Sequence, residues 1–222
     1  EALIIELGVR WEIVKQMLEY DLSKVVGCVV THEHNDHSKS IPDAAASGLN
    51  VYATAGTFKA KGFAGHRYKS IEKEKAFKLG NFKILPFKVM HDVADPVGFI
   101  IQHPETGNIL FITDSYYVPN RFDNIHNVIV EANYCEDIIN EKLKKDKKFL
   151  RDRVIQSHMS IRTCKEFLSA NDLTKVNNIV LIHLSESNSD AKRFRQEVAD
   201  QTGCNVTVAC NGLSIPFNKT PF

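Results

Sequence analysis

Residues 25–37 read Val25-Val26-Gly27-Cys28-Val29-Val30-Thr31-His32-Glu33-His34-Asn35-Asp36-His37. The first six are short, apolar and mostly β-branched, which is the composition of a buried strand. His32, His34, Asp36 and His37 then fall within six residues. Donors at the end of a strand sit on a tight loop and can converge on one point. His32 and His34, two apart, can face the same way, while Asp36 and His37 turn toward a neighbouring point. That arrangement suits two adjacent metal ions. Imidazole and carboxylate donors without thiolate favour zinc, with manganese or iron also compatible.

Three further donors close apolar runs later in the chain. His91 follows Phe82-Lys83-Ile84-Leu85-Pro86-Phe87-Lys88-Val89-Met90, Asp114 follows Ile109-Leu110-Phe111-Ile112-Thr113, and His183 follows Asn178-Ile179-Val180-Leu181-Ile182. With this order of donors, His32-x-His34-x-Asp36-His37 resembles the signature of metallo-β-lactamase-fold hydrolases, and the resemblance runs from Glu6 to about Asn211. It implies an α/β (α+β) fold, the four-layer αββα metallo-β-lactamase sandwich. It also implies a dinuclear site: His32, His34 and His91 on one divalent ion, Asp36, His37 and His183 on the other, and Asp114 bridging ions about 3.5–4 Å apart. A hydroxide bridging the two ions is then the expected nucleophile toward a phosphoryl or carbonyl group, with Asp36 part of the catalytic set. Flavodiiron proteins share the fold, but they usually carry a carboxylate where this chain has His34, which argues against redox chemistry.

Two more stretches bear on the substrate. Val130-Glu131-Ala132-Asn133-Tyr134 and Ser157-His158-Met159-Ser160 resemble the paired motifs of ribonuclease Z. The resemblance implies that Glu131 and His158 pair beside the metals and help protonate the leaving oxygen, which phosphodiester cleavage needs because an alkoxide leaves poorly. The stretches His91-Asp92-Val93-Ala94-Asp95-Pro96-Val97-Gly98-Phe99, Thr113-Asp114-Ser115 and Ile182-His183-Leu184-Ser185-Glu186-Ser187-Asn188 are similar to the YycJ-like branch of bacteria and phages. That likeness implies DNA exonuclease activity. The competing readings are a small-molecule phosphodiester or thioester hydrolase of the same fold, and a non-catalytic, metal-stabilised binding module. A binding module has no use for a proton donor.

The formal net charge is +1, so no global field draws the chain to nucleic acid, and contact with DNA must use a local patch. Between Lys142 and Arg153, seven of twelve residues are basic: Lys142, Lys144, Lys145, Lys147, Lys148, Arg151 and Arg153. They are the candidates for backbone phosphates. Lys59, Lys61, Arg67 and Lys69 form a weaker second group. There is no apolar run of 18 residues, so no membrane partner is expected. The five cysteines show no paired spacing and read as reduced thiols of a cytoplasmic protein, with Cys28 and Cys210 in apolar runs expected in the core.

Length and composition suit one α/β domain over 1–222. The resemblance implies one or two strands ahead of the one bearing Glu6, so the domain is read as lacking an N-terminal strand or two. Glu6 stands where the family carries an aspartate, and is expected to support the metal loop from behind. Periodicity predicts strands at 3–5, 25–30, 51–53, 76–79, 82–90, 97–102, 109–113, 128–130, 178–182 and 205–209. It predicts helices at 11–20, 41–46, 54–61 (with Thr54 as N-cap), 136–148, 161–170 and 190–201.

Overall fold

A computed structural model describes residues 1–142 and 148–220. The chain falls into two compact units, Glu1–Lys88 with Val93–Val97, and Val89–Asp92 with Gly98–Phe222.

In the first unit, strands β1 (Ala2–Ile5), β2 (Val25–Val29), β3 (Val51–Thr54) and β4 (Tyr68–Ile71) form a parallel sheet in that order. Helices α1 (Trp11–Met17), α2 (Asn35–Ser38), α3 (Ile41–Ala46) and α4 (Ala55–Lys61) connect them. The core gathers Leu7, Trp11, Val14, Cys28, Val30, Ile41, Val51, Ala53 and Phe58. Thr54 caps α4 as expected, its side chain accepting from the Thr57 amide, a contact worth about 1 kcal/mol. Helix α1 stops at Met17 rather than Tyr20, because Glu19 and Tyr20 take left-handed backbone conformations. Strands β5 (Phe77–Leu79) and β6 (Phe82–Lys88) pair as an antiparallel hairpin turned at Gly80.

The second unit carries β7 (Val97–His103), β8 (Gly107–Ile112), β9 (Asn127–Glu131), β10 (Asn178–Ile182) and β11 (Asn205–Val208). They lie side by side in the order β11-β10-β9-β8-β7. The β7–β8 pair is antiparallel; β8, β9, β10 and β11 are parallel. Register decides the site here: Ile112 faces Val130, and Glu131 faces Ile182. The residues after β8, at the end of β9 and after β10 therefore emerge on one sheet edge, the carboxyl edge where parallel sheets commonly bind ligands. Helices α5 (Glu136–Lys142), α6 (Lys148–Ser157), α7 (Ile161–Ser169) and α8 (Ala191–Thr202) complete the unit. Ser160 caps α7 by accepting from the Thr163 amide, and Ile161, Cys164, Phe167 and Leu168 bury one face of the helix.

Three elements escape the sequence reading: β4, the single turn α2, and α6, whose apolar residues Phe149, Leu150 and Ile155 are exposed and so give no inward stripe. The helix expected over 136–148 is seen as α5 to Lys142, and 143–147 lie outside the described residues. Cys28 is buried as expected, but Cys210 is exposed, because β11 ends at Val208 and the chain turns outward. All five thiols are unpaired. No helix among the described residues is long and apolar enough to cross a membrane.

Candidate metal centre

The first unit places His32, His34, Asp36 and His37 on the loop that leaves β2 and closes through α2. The Ser38 hydroxyl pins the turn by donating to the carbonyls of Glu33 and His34, both at 2.8 Å. The His32 ring lies 4.8 Å from that of His34 and 4.3 Å from that of His37, centroid to centroid. His32 and His37 are buried, His34 half-buried, and the Asp36 side chain 64% exposed. Thr31 Oγ1 sits 2.9 Å from His32 Nδ1, so this ring nitrogen is engaged within the loop.

Glu6 supports this loop from behind. Its Oε1 accepts from the Thr31 amide at 3.2 Å and its Oε2 lies 3.4 Å from His37 Nδ1. The backbone of Gly8 runs so close that a Cβ there would sit 1.5 Å from the Asp36 carbonyl oxygen. The segment after His91 straps the loop as well, since Glu33 accepts from the Ala94 amide and Thr31 O from the Val97 amide.

The second unit holds His91, Asp114 and His183 together with Glu131 and His158. One ligand atom from each of Asp114, Glu131, His158 and His183 lies within 4.8 Å of the others. His91 Nδ1 lies 2.9 Å from the Ser157 carbonyl oxygen, which can only accept. The Nδ1 proton is thereby fixed, and Nε2 presents its lone pair 3.7 Å from Asp114 Oδ2. Thr113 Oγ1 donates to Asp114 Oδ1 at 2.8 Å.

Glu131 is fully buried and uses both oxygens twice. Oε1 lies 2.8 Å from His158 Nδ1 and 2.9 Å from His183 Nδ1, and Oε2 accepts from the Ser115 and Met159 amides, each at 3.0 Å. A carboxylate offers about four acceptor sites, so Glu131 has none left for a metal. Glu131 thus holds both His158 and His183, and the His158 side chain is 20% exposed. Burial opposes a charge on His158, but the hydrogen bond and negative charge of Glu131, aided by Asp114, outweigh it and raise the imidazole above its ordinary value.

Both His158 and His183 are held by their backbones too. The His158 amide donates to Val154 O at 2.9 Å, the Asn133 amide to the adjoining Met159 O at 2.8 Å, and the Asn133 side chain to His183 O at 2.7 Å. The Ser157 carbonyl, the Ser115 amide and the Asn133 side chain went unrecognised in the sequence. The first two act through backbone, which leaves no residue-type signal.

Only part of the basic run lies among the described residues. Lys142 donates to the Ser187 carbonyl, and Arg151 pairs with Asp152 at 3.1 Å. Arg153 is exposed. Lys144, Lys145 and Lys147 lie outside the described residues, as does the side chain of Lys148. In the second basic group, Lys61 donates to Asn35 Oδ1 at 2.7 Å, on the donor loop of the first unit.

Residues 10–184 match the beta-lactamase superfamily domain, and the chain belongs to that family. Its two sheets and helices are the metallo-β-lactamase fold expected from the sequence. Among relatives, exodeoxyribonuclease YycJ of Bacillus anthracis is 30% identical over 127 residues, covering 53% of this chain and 47% of YycJ. The chain thus spans about half the length of this curated relative. The metallo-β-lactamase fold protein YhfI from Bacillus subtilis superposes with a TM-score of 0.71 at 17% identity, over 95% of this chain and 85% of YhfI. The short form of human tRNase Z gives 0.61 at 15% identity, over 98% and 88%. At such identities these two likenesses speak for the fold alone.

Proposed function

We propose that this chain is a dinuclear metal-dependent phosphodiesterase acting on DNA. The observation that carries the reading is the buried Glu131 carboxylate holding His158 by its Nδ1 on the edge that also bears Asp114 and His183. A poor alkoxide leaving group needs a proton, and a histidine backed by a carboxylate is suited to deliver one. The exodeoxyribonuclease relative supports DNA as the polymer.

His32, His34, Asp36, His37, His91, Asp114 and His183 are the residues that would hold two divalent ions, zinc by their chemistry. Their fit rests on the outer contacts: the Ser157 carbonyl on His91 and Glu131 on His183 can only accept, which sets a tautomer that leaves Nε2 to ligate, and Thr31 engages Nδ1 of His32. When bound, such ions lower the pKa of water and neutralise charge on phosphoryl oxygens. Glu6 steadies the loop of the first four donors. His158 Nε2 gives its proton to the departing oxygen, while Glu131 favours the charged imidazolium before the transfer without touching substrate. Unpaired cysteines, three of them buried, support a cytoplasmic location.

The test is metal analysis together with hydrolysis. Protein prepared without chelator should carry about two equivalents of metal and degrade end-labelled DNA. Asp114→Ala should lower both metal equivalents and abolish cleavage. Full metal content and activity in that variant would overturn the ligand assignment. Cleavage of a nitrophenyl phosphodiester but not of DNA would favour a small-molecule substrate.

A further inference from the structure

We propose that a pocket of about 240 Å³ between the segment Tyr117–Arg121 and helix α7 receives a nucleobase of the substrate. This rests on the nucleic-acid reading above and adds the part of the substrate that is recognised away from the phosphate.

The walls and rim have the chemistry of such a site. Tyr117, Pro119 and Phe167 supply flat apolar surface, and Asn120, Arg121 and Glu166 supply donors and acceptors at the edge. Tyr117 is 54% exposed although its backbone is tightly held. Its carbonyl accepts from Ser115 Oγ at 2.8 Å, and it bridges to Met90, whose carbonyl accepts from the Tyr116 amide at 3.0 Å. At the other end of the segment, the Phe122 amide donates to Asn171 Oδ1 at 2.6 Å, and the Asn171 side chain donates back to Phe167 O at 2.6 Å. The Phe122 and Phe167 rings meet at 6.3 Å. The segment is fixed at both ends, so the pocket exists before any ligand arrives, and binding need not order a loop.

Position along the chain ties the pocket to the candidate metal residues. Tyr117 lies three residues past Asp114 and bridges to the neighbour of His91; three residues reach at most about 10 Å. Thr163, on the other wall, lies five residues past His158. A base in this pocket would therefore belong to a nucleotide at or next to a phosphate held near Asp114. Stacking on an exposed aromatic ring tolerates any base, as a processive or exonucleolytic enzyme requires.

The test uses the metal-loaded protein, deoxynucleoside monophosphates, and deoxyribose 5-phosphate as the base-free control, followed by NMR titration. DNA and oligonucleotides containing abasic sites are hydrolysed in parallel. Nucleotides should bind more tightly than the base-free sugar phosphate. Tyr117→Ala should weaken nucleotide binding by roughly 5- to 150-fold, with little change for the control. It should raise KM for normal DNA but not for abasic DNA, with kcat nearly held. Tyr117→Trp should restore both. Cleavage of DNA with nucleotide binding and KM indifferent to Tyr117→Ala would overturn the pocket while sparing the DNA reading. Tyr117-dependent nucleotide binding without cleavage of DNA would do the reverse. Neither result appearing would overturn both.

Discussion

Replacing Glu131 by Gln removes one acceptor oxygen and installs a donor in a fully buried position with four claims on it. Two orientations are open. With the new NH₂ toward the Ser115 and Met159 amides, two buried donors lose their acceptor and face a third, at about 1–3 kcal/mol each. With the NH₂ toward His158 and His183, the backbone amides keep their acceptor. The imidazoles must then accept through Nδ1, which moves their protons to Nε2. The second orientation costs less, and it protonates the nitrogen that His183 needs for a metal. Loss of such an outer contact typically lowers metal affinity by about 10- to 100-fold. Glu131→Gln should therefore fold with a modestly lower Tm, lose metal affinity by that factor in competition with a chromogenic chelator, and show Nε2–H tautomers for both rings in ¹⁵N NMR of the metal-free protein. Wild-type metal affinity with Nδ1–H retained would refute the claim that Glu131 acts by setting tautomers.

Two further outcomes are expected. His158→Ala should keep its metal but lose about 10²–10⁴-fold in turnover on DNA and much less on a nitrophenyl phosphodiester, whose leaving group needs no proton; equal losses on both substrates would assign His158 to structure. Gly8→Ala forces a Cβ against the Asp36 carbonyl, so thermal melts should show destabilisation of about 1–3 kcal/mol and metal titration a weakened site. An unchanged melt would mean the backbone there can yield.

The donors are legible in the sequence because a metal site demands particular residue types, and those types stand out where strands end. The strands that carry them are equally legible, since β2, β8, β9 and β10 are short apolar runs buried on both faces. What stays hidden depends on geometry rather than residue type. Helix α6 has no apolar stripe facing inward, so periodicity cannot reveal it, yet its end places Ser157 and His158. Strand β4 reads Tyr-Lys-Ser-Ile, exposed at its centre and too short to alternate convincingly. The basic run stands out in the sequence; of it, Lys142 and Arg151 are engaged with protein partners, and Lys144, Lys145 and Lys147 lie outside the described residues.

Backbone strain is the least readable feature and bears most on the chemistry. Glu6, Asp114 and His183 all adopt positive φ, at 69°, 45° and 56°. For residues other than glycine this conformation costs on the order of 1–3 kcal/mol each, and for Glu it is uncommon. All three sit where a parallel strand ends, and two are candidate ligands. A strand continued past Ile112 or Ile182 would carry its side chains alternately above and below the sheet. A single left-handed residue breaks that alternation and turns the side chain along the edge, so that Asp114 and His183 come within 3.4 Å of each other. The strain is offset by contacts on either side: Thr113 on Asp114, Asn133 on the His183 carbonyl, and Thr31 on Glu6. The sequence shows an aspartate and a histidine after apolar runs; only the conformation explains why the two can serve one edge.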